Sequence, residues 1–132
     1  MADRMIHPVL TADAPLPAGH YAQAVRAGDL LHISGQLPIR ADGAPLDDMT
    51  FEAQAAQAID NLLAILTAAG GTPAHLVRVT AYIVGVEHWP RFNAVYAARL
   101  GDARPARSVV PVPELHYGYL VEVDAVAWLA DA

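Results

Sequence analysis

The chain has no cysteine and no lysine; all eight of its basic residues are arginine. The first absence excludes disulfides, thiolate nucleophiles and thiolate metal sites. The second excludes a Schiff-base lysine, including one that would anchor pyridoxal phosphate, so covalent amine and thiol catalysis are both closed. Basic clusters are missing too. With 14 acidic residues against eight arginines the formal net charge is −6, and the electrostatic attraction that dominates nucleic-acid affinity has nothing to act through. Nucleic acid is therefore not an expected partner. No run of about 18 apolar residues is available to span a bilayer, and "MADRMIHPVL" lacks the apolar stretch of a secretory signal. The expectation is a soluble, cytoplasmic protein with no membrane partner.

What is present in excess is apolar side chain. Counted with Gly and without Tyr, apolar residues reach roughly 58% of the chain, against about 45–50% in ordinary globular proteins. A length of 132 residues suits one domain, residues 1–132, burying roughly two-thirds of its unfolded surface. Surplus apolar groups in so small a domain point to subunit contacts.

After an irregular start, "YAQAVRAGDLLHISGQLP" reads as two short strands around a turn at Ala27, Gly28 and Asp29. "RADGAPLDD" is a loop by its Gly, Pro and Asp content. Residues 51–69 predict a helix: Ala55, Ile59, Leu62, Leu63, Leu66 and Ala69 form a stripe at spacings of three and four, Thr50 suits the N-cap, and Gly70 a left-handed end. "LVRVTAYIVG" alternates as a strand, with Val77, Val79, Ala81 and Ile83 on one face and Arg78, Thr80 and Tyr82 on the other. A second helix is expected over about residues 89–100, with Pro90 in its first turn. Two further strands, near 107–112 and 119–128, flank the turn "PELHYG". The order ββαβαββ predicts an α+β fold, a mainly hairpin-connected sheet with both helices on one face. In the last strand Val121, Val123, Ala125 and Ala127 form a smooth face for those helices. Leu120, Glu122, Asp124, Val126 and Trp128 make the other, a mixture suited to a subunit interface holding a wet pocket.

Arg107 and Glu122 stand in otherwise apolar strands. If the last two strands pair as a hairpin centred between Glu114 and Leu115, the two charges face each other. An arginine fork can grip a carboxylate, and a glutamate can accept a proton from water, so the pair could hydrolyse a small carboxylate-bearing molecule. Spacing alone supports the plainer reading at least as well: a cross-strand ion pair worth a few tenths to about 1 kcal/mol when exposed.

The surrounding segments decide between them. "APLPAGHYAQAVRAGDLLHISGQLP", "NLLAILTAAG", "NAVY" and "PARSVVPVPELHYGYLVEVDAVA" together resemble, in order and spacing, the RidA/YjgF family of enamine/imine deaminases. The resemblance implies a chorismate-mutase-like mixed sheet with two helices packed on one face, assembled as a homotrimer with three intersubunit clefts. It implies that Arg107 binds the carboxylate of an imine or keto acid and that Glu122 positions the attacking water. Tyr21, Ser34, Gly35, Gln36 and Asn93 fall at family positions in or near the pocket. Such chemistry requires no cofactor, no metal and no covalent nucleophile, in keeping with a chain that lacks Cys and Lys.

The chain departs from the family pattern at His20 and Ala22, where Pro and Ser commonly flank the pocket tyrosine, at Val109, where many members have Cys, and at His116, where they have Pro. His116, close to Arg107 and Glu122 in the expected hairpin, is a candidate proton donor or modifier of substrate choice, with an ordinary turn residue as the alternative. The six histidines show no paired metal-ligand spacing. Gln54 and Asn61 read as structural polar positions on the first helix. Asp124 reads as an interface ion-pair partner more readily than as a perturber of Glu122. The leading functional expectation is hydrolytic deamination of imines of the 2-aminoacrylate and 2-iminopropionate type. The alternatives are a non-catalytic metabolite-binding or regulatory trimer, and a catabolic family member acting on another imine.

Overall fold

The computed structural model describes residues 5–130. Six strands make one mixed sheet: β1 (Ile6–Val9), β2 (Ala24–Ala27), β3 (Leu30–Gln36), β4 (Leu76–Val84), β5 (Ala106–Val112) and β6 (Val121–Trp128), in spatial order β1-β2-β3-β6-β4-β5. Helices α1 (Phe51–Ala68) and α2 (Trp89–Leu100) pack on each other, and α1 lies across β3 and β6. The α+β class and both helices agree with the sequence pattern.

Local chemistry sets the ends of α1. Thr50 Oγ1 accepts the Ala53 amide at 3.2 Å. At the other end Gly70 turns left-handed at φ 92°, its N–H reaching the Thr67 carbonyl while the Gly71 N–H reaches Leu66. Between these caps Ala55, Ile59, Leu62 and Leu66 are buried in one core with Val121, Val123, Ala125 and Ala127 of β6 and with Phe92, Tyr96 and Leu100 of α2.

The sheet departs from expectation in three places. The last two strands do not form a hairpin: β5 runs parallel to β4, and β6 is inserted between β3 and β4. Pro111 lies within β5 and has no N–H to give a second ladder, which suits an edge strand, whereas β6 contains no proline and can bond on both sides. Strand β1 was not foreseen; it is a short, exposed edge strand containing Pro8, antiparallel to β2. Val77 does not share a face with Val79, because the β4–β6 register shifts between Leu76 and Arg78. This bulge buries Leu76 and leaves Val77 exposed.

Two buried amides of α1 fix the loops beyond the sheet. Asn61 Nδ2 donates to the carbonyls of Leu37 and Ile39 at 3.0 and 2.8 Å. Gln54 Oε1 accepts the Leu120 amide at 2.8 Å, while its Nε2 donates to the Met49 carbonyl. Both therefore have the structural role read from the sequence. Asn61→Ala removes both bonds to the 37–39 loop and should cost about 2 kcal/mol of unfolding free energy in urea; a loss below about 0.5 kcal/mol would mean that water replaces the amide.

Candidate active site

Glu122 projects from β6 at the level of Tyr82 and meets a distorted part of β3. The β3–β6 register shifts between Ile33 and Gln36, so Ser34 and Gly35 together oppose Asp124. At this bulge the backbone comes so close to Glu122 that a Cβ on Gly35 would lie 2.6 Å from Oε2. The glycine makes room for the carboxylate itself, a more specific role than the place in or near the pocket that the family resemblance implies. Burial pushes the Glu122 carboxyl above its ordinary value; His116 opposes this, and the negative charge of Asp124 adds to it.

Around Glu122 lies a cavity of about 340 Å³ lined by Leu16, Tyr21, Ser34, Gly35, His116 and Tyr117, among others. Its walls are tied down by backbone-directed bonds. Ser34 Oγ donates to the Ala22 carbonyl at 2.6 Å, and Tyr21 Oη accepts the Ala18 amide at 3.2 Å. Gln23, 1% exposed, is the main fastener: its Oε1 accepts the Thr11 amide and its Nε2 donates to the carbonyls of Thr11, Ala14 and Pro15. Sequence reasoning passed over this residue, although the quoted "YAQA" contains it. The rim is aromatic: the His116 and Tyr117 rings are 6.0 Å apart, and Tyr117 meets Tyr119 edge-on at 6.2 Å.

Arg107 lies elsewhere. It pairs with Val79 in the β4–β5 ladder, and Val79 belongs to the helix-covered face. Trp89, Asn93 and Tyr96, at i, i+4 and i+7 of α2, share one side of that helix and close on the guanidinium. Asn93 Oδ1 accepts a bond from Arg107 Nη1 at 3.0 Å, and the guanidinium carbon lies 4.8 Å from the Tyr96 ring centre and 5.9 Å from that of Trp89. Ring faces hold a cation without neutralising it. Tyr96 is 8% exposed and its hydroxyl has no hydrogen-bond partner among the described residues. Burial pushes that phenol upward in pKa, and the nearby Arg107 charge partly offsets it.

The expected face-to-face pairing of Arg107 with Glu122 is thus overturned. Side chains alternate across a sheet, so Val79 and Arg107 point to the helices while Tyr82 and Glu122 point away from them. The strand β4 also lies between β5 and β6. Of the sequence candidates, the chain brings together Tyr21, Ser34, Gly35, His116 and Glu122 in one place, and Asn93 with Arg107 in another. Among the described residues neither charge has an opposite charge within ion-pair distance. Within the chain Asp124 accepts a 3.4 Å bond from the Tyr82 hydroxyl, and burial raises its carboxyl above the ordinary value. No group of three or more His, Asp or Glu among the described residues is arranged to hold a metal ion. Nor is any helix among them long and apolar enough to cross a membrane.

The sequence profile described as Endoribonuclease L-PSP, that of the RidA/YjgF proteins, matches residues 11–129. The chain belongs to the RidA/YjgF family. It is 36% identical over 120 residues to a RutC family protein of Pyrococcus horikoshii, an alignment covering 91% of this chain and 95% of the relative. Among solved structures, RidA from the Antarctic bacterium Psychrobacter superposes with a TM-score of 0.88 at 33% identity, covering 93% of this chain and 99% of the other. TdcF of E. coli, solved with bound serine, superposes with a TM-score of 0.88 at 28% identity, covering 94% and 98%.

In this RidA-family chain Trp89 and Tyr96 had a readable signal, since their spacing from Asn93 puts all three on one helical face. Tyr117 had none, because its placement depends on backbone at a turn. The raised pKa of Glu122 carries its own test. A carboxyl raised in the folded state destabilises the fold wherever it must be charged, and the penalty fades as pH falls through the folded value. Glu122→Gln should therefore raise the Tm at pH 7, with the gain vanishing toward the ordinary carboxylate range. Equal gains at both ends of a pH series of melts would trace the effect to packing.

Proposed function

We propose that this chain is an enamine/imine deaminase. It hydrolyses amino-acid-derived imines of the 2-aminoacrylate and 2-iminopropionate type to 2-keto acids and ammonia. It works as a homotrimer, each cleft joining the Glu122 half-site of one copy to the Arg107 half-site of another. The observation that carries this reading is the pair of charges, unneutralised among the described residues, held on opposite faces of one sheet. Each has a prepared environment, and neither can reach the other within a chain. Family membership supports it, as does the serine bound to TdcF, which carries the same α-carboxylate.

In the composite cleft Arg107 grips the substrate carboxylate with its fork and sets the adjacent imine carbon in place. The protonated imine is already electrophilic. Glu122 takes a proton from water as the oxygen bonds to that carbon, giving a carbinolamine. Return of the proton to nitrogen lets the C–N bond break; as the carbonyl forms, the hydroxyl proton passes to Glu122 and on to the departing ammonia, which leaves as ammonium. One water is consumed and no electrons change hands. The net charge of −6 argues against RNA, the substrate class named in the family's description.

Arg107→Ala and Glu122→Gln should each lower turnover of freshly generated 2-iminopropionate at least about a hundredfold while the native mass stays trimeric. Refolded together in equal amounts, they should recover about a quarter of wild-type activity, because random assembly restores that share of composite clefts. Absence of recovery would sink the shared cleft. Stabilisation by pyruvate without ammonia release would favour the metabolite-binding reading. A second outcome follows from His116. Its charge favours the ionised form of Glu122, so His116→Ala should move the acid limb of kcat/KM to higher pH. An unmoved limb would remove His116 from this role.

A further inference from the structure

We infer that Tyr117 determines specificity: with Leu16 and Tyr21 it forms an apolar rim that favours imines carrying a large, flat side chain, of the phenylalanine type, over the alanine-derived imine. This rests on the deaminase reading above and names the substrate class of its Glu122 half-site.

The backbone supplies the first argument. Tyr117 is the one non-glycine residue with a positive φ, 61°, among those described. Gly118 follows at φ 74°, where the absence of a Cβ makes that conformation easy; a tyrosine has no such freedom. The Tyr117 side chain is 75% exposed, so burial within the chain does little to offset the unfavourable backbone. A large ring in such a place, braced edge-on by Tyr119, is what remains to be accounted for.

Its neighbours supply the second. Leu16 and Tyr21 are 66% and 50% exposed, and these two line the same cavity as Tyr117 and Glu122. Apolar groups clustered around one carboxylate make a pocket with a polar floor and an apolar lip, which fits a ligand with a charged head and an apolar tail. The volume of about 340 Å³ falls in the range, roughly 300–1,000 Å³, of cavities that enclose drug-sized molecules. An alanine-derived imine would leave most of it as water, whereas a phenyl ring would reach the lip and meet the faces and edges of Tyr21 and Tyr117.

The test compares kcat/KM for the phenylalanine-derived and alanine-derived imines, each generated freshly in the assay. Tyr117→Ala should lower the phenylalanine-to-alanine ratio about tenfold, the scale on which apolar pockets discriminate. Tyr117→Phe should preserve the ratio. Tyr117→Gly should lower it likewise while keeping or raising the Tm, since glycine accepts the local backbone; this separates rim loss from misfolding. A ratio unmoved in Tyr117→Gly overturns the inference. So does loss of trimeric native mass in that variant, which would make the rim a subunit contact. If the wild type hydrolyses neither imine, the deaminase reading fails by itself. The rim is then judged by the Tm shifts that phenylpyruvate and pyruvate produce in wild type and Tyr117→Gly: a preference lost in the variant sustains it, and equal shifts in the wild type overturn it.

Discussion

Successive residues of a strand share a backbone but cannot share a face, and this rule governs how the chain arranges its chemistry. Arg107 is aligned with Val79, Glu122 with Tyr82, and these two positions on β4 point in opposite directions. No rotamer change brings the two charges together across the intervening strand. The position of β5 follows from the same economy of backbone bonding. A proline inside the strand forfeits a donor, so β5 takes the edge and leaves the centre to β6. The covalent order of the last two strands suggests neighbours, and the hydrogen-bonding capacity of each decides otherwise.

Each charge is held in a way that keeps it available. Around Arg107 the protein supplies an amide oxygen and two ring faces, which orient a guanidinium and leave its charge intact. Around Glu122 it supplies a bulged glycine that makes room for the carboxylate and partial burial that destabilises its ionised form, without an ion-pair partner among the described residues. Both arrangements are costly for a lone fold. A paired surface charge would be cheaper, and an apolar residue cheaper still. Departures from local optimality of this kind concentrate where function requires them.

The sequence made some of this legible and hid the rest for physical reasons. Helix α1 was readable because periodicity, the Thr50 cap and the Gly70 terminator all depend on near neighbours. Glu122 and Gly35 could be singled out as residues, yet their contact depends on a bulge where two residues oppose one, and no alternation pattern records that. Val77 shows the same limit: one shifted register reverses which face a residue takes. The hairpin symmetry that joined Arg107 to Glu122 was a geometric inference from numbering, and non-local pairing overrode it. Strand β1, short and interrupted by Pro8, has too few residues to show a period at all.

The two amides of α1 have a further consequence. Asn61 holds the loop that carries Leu37 and Ile39, and Gln54 holds the backbone that follows the His116–Tyr119 turn. These loops both line the cavity around Glu122, as its jaws, and both are bolted to one rigid rod. Seven residues separate the bolts, two helical turns or about 10.5 Å of rise. The gape of the mouth is thereby gauged by a helix lying on the far side of the sheet. The jaws are free to change their lining residues, but adding or removing one residue between the bolts would rotate one of them by about 100° away from its loop.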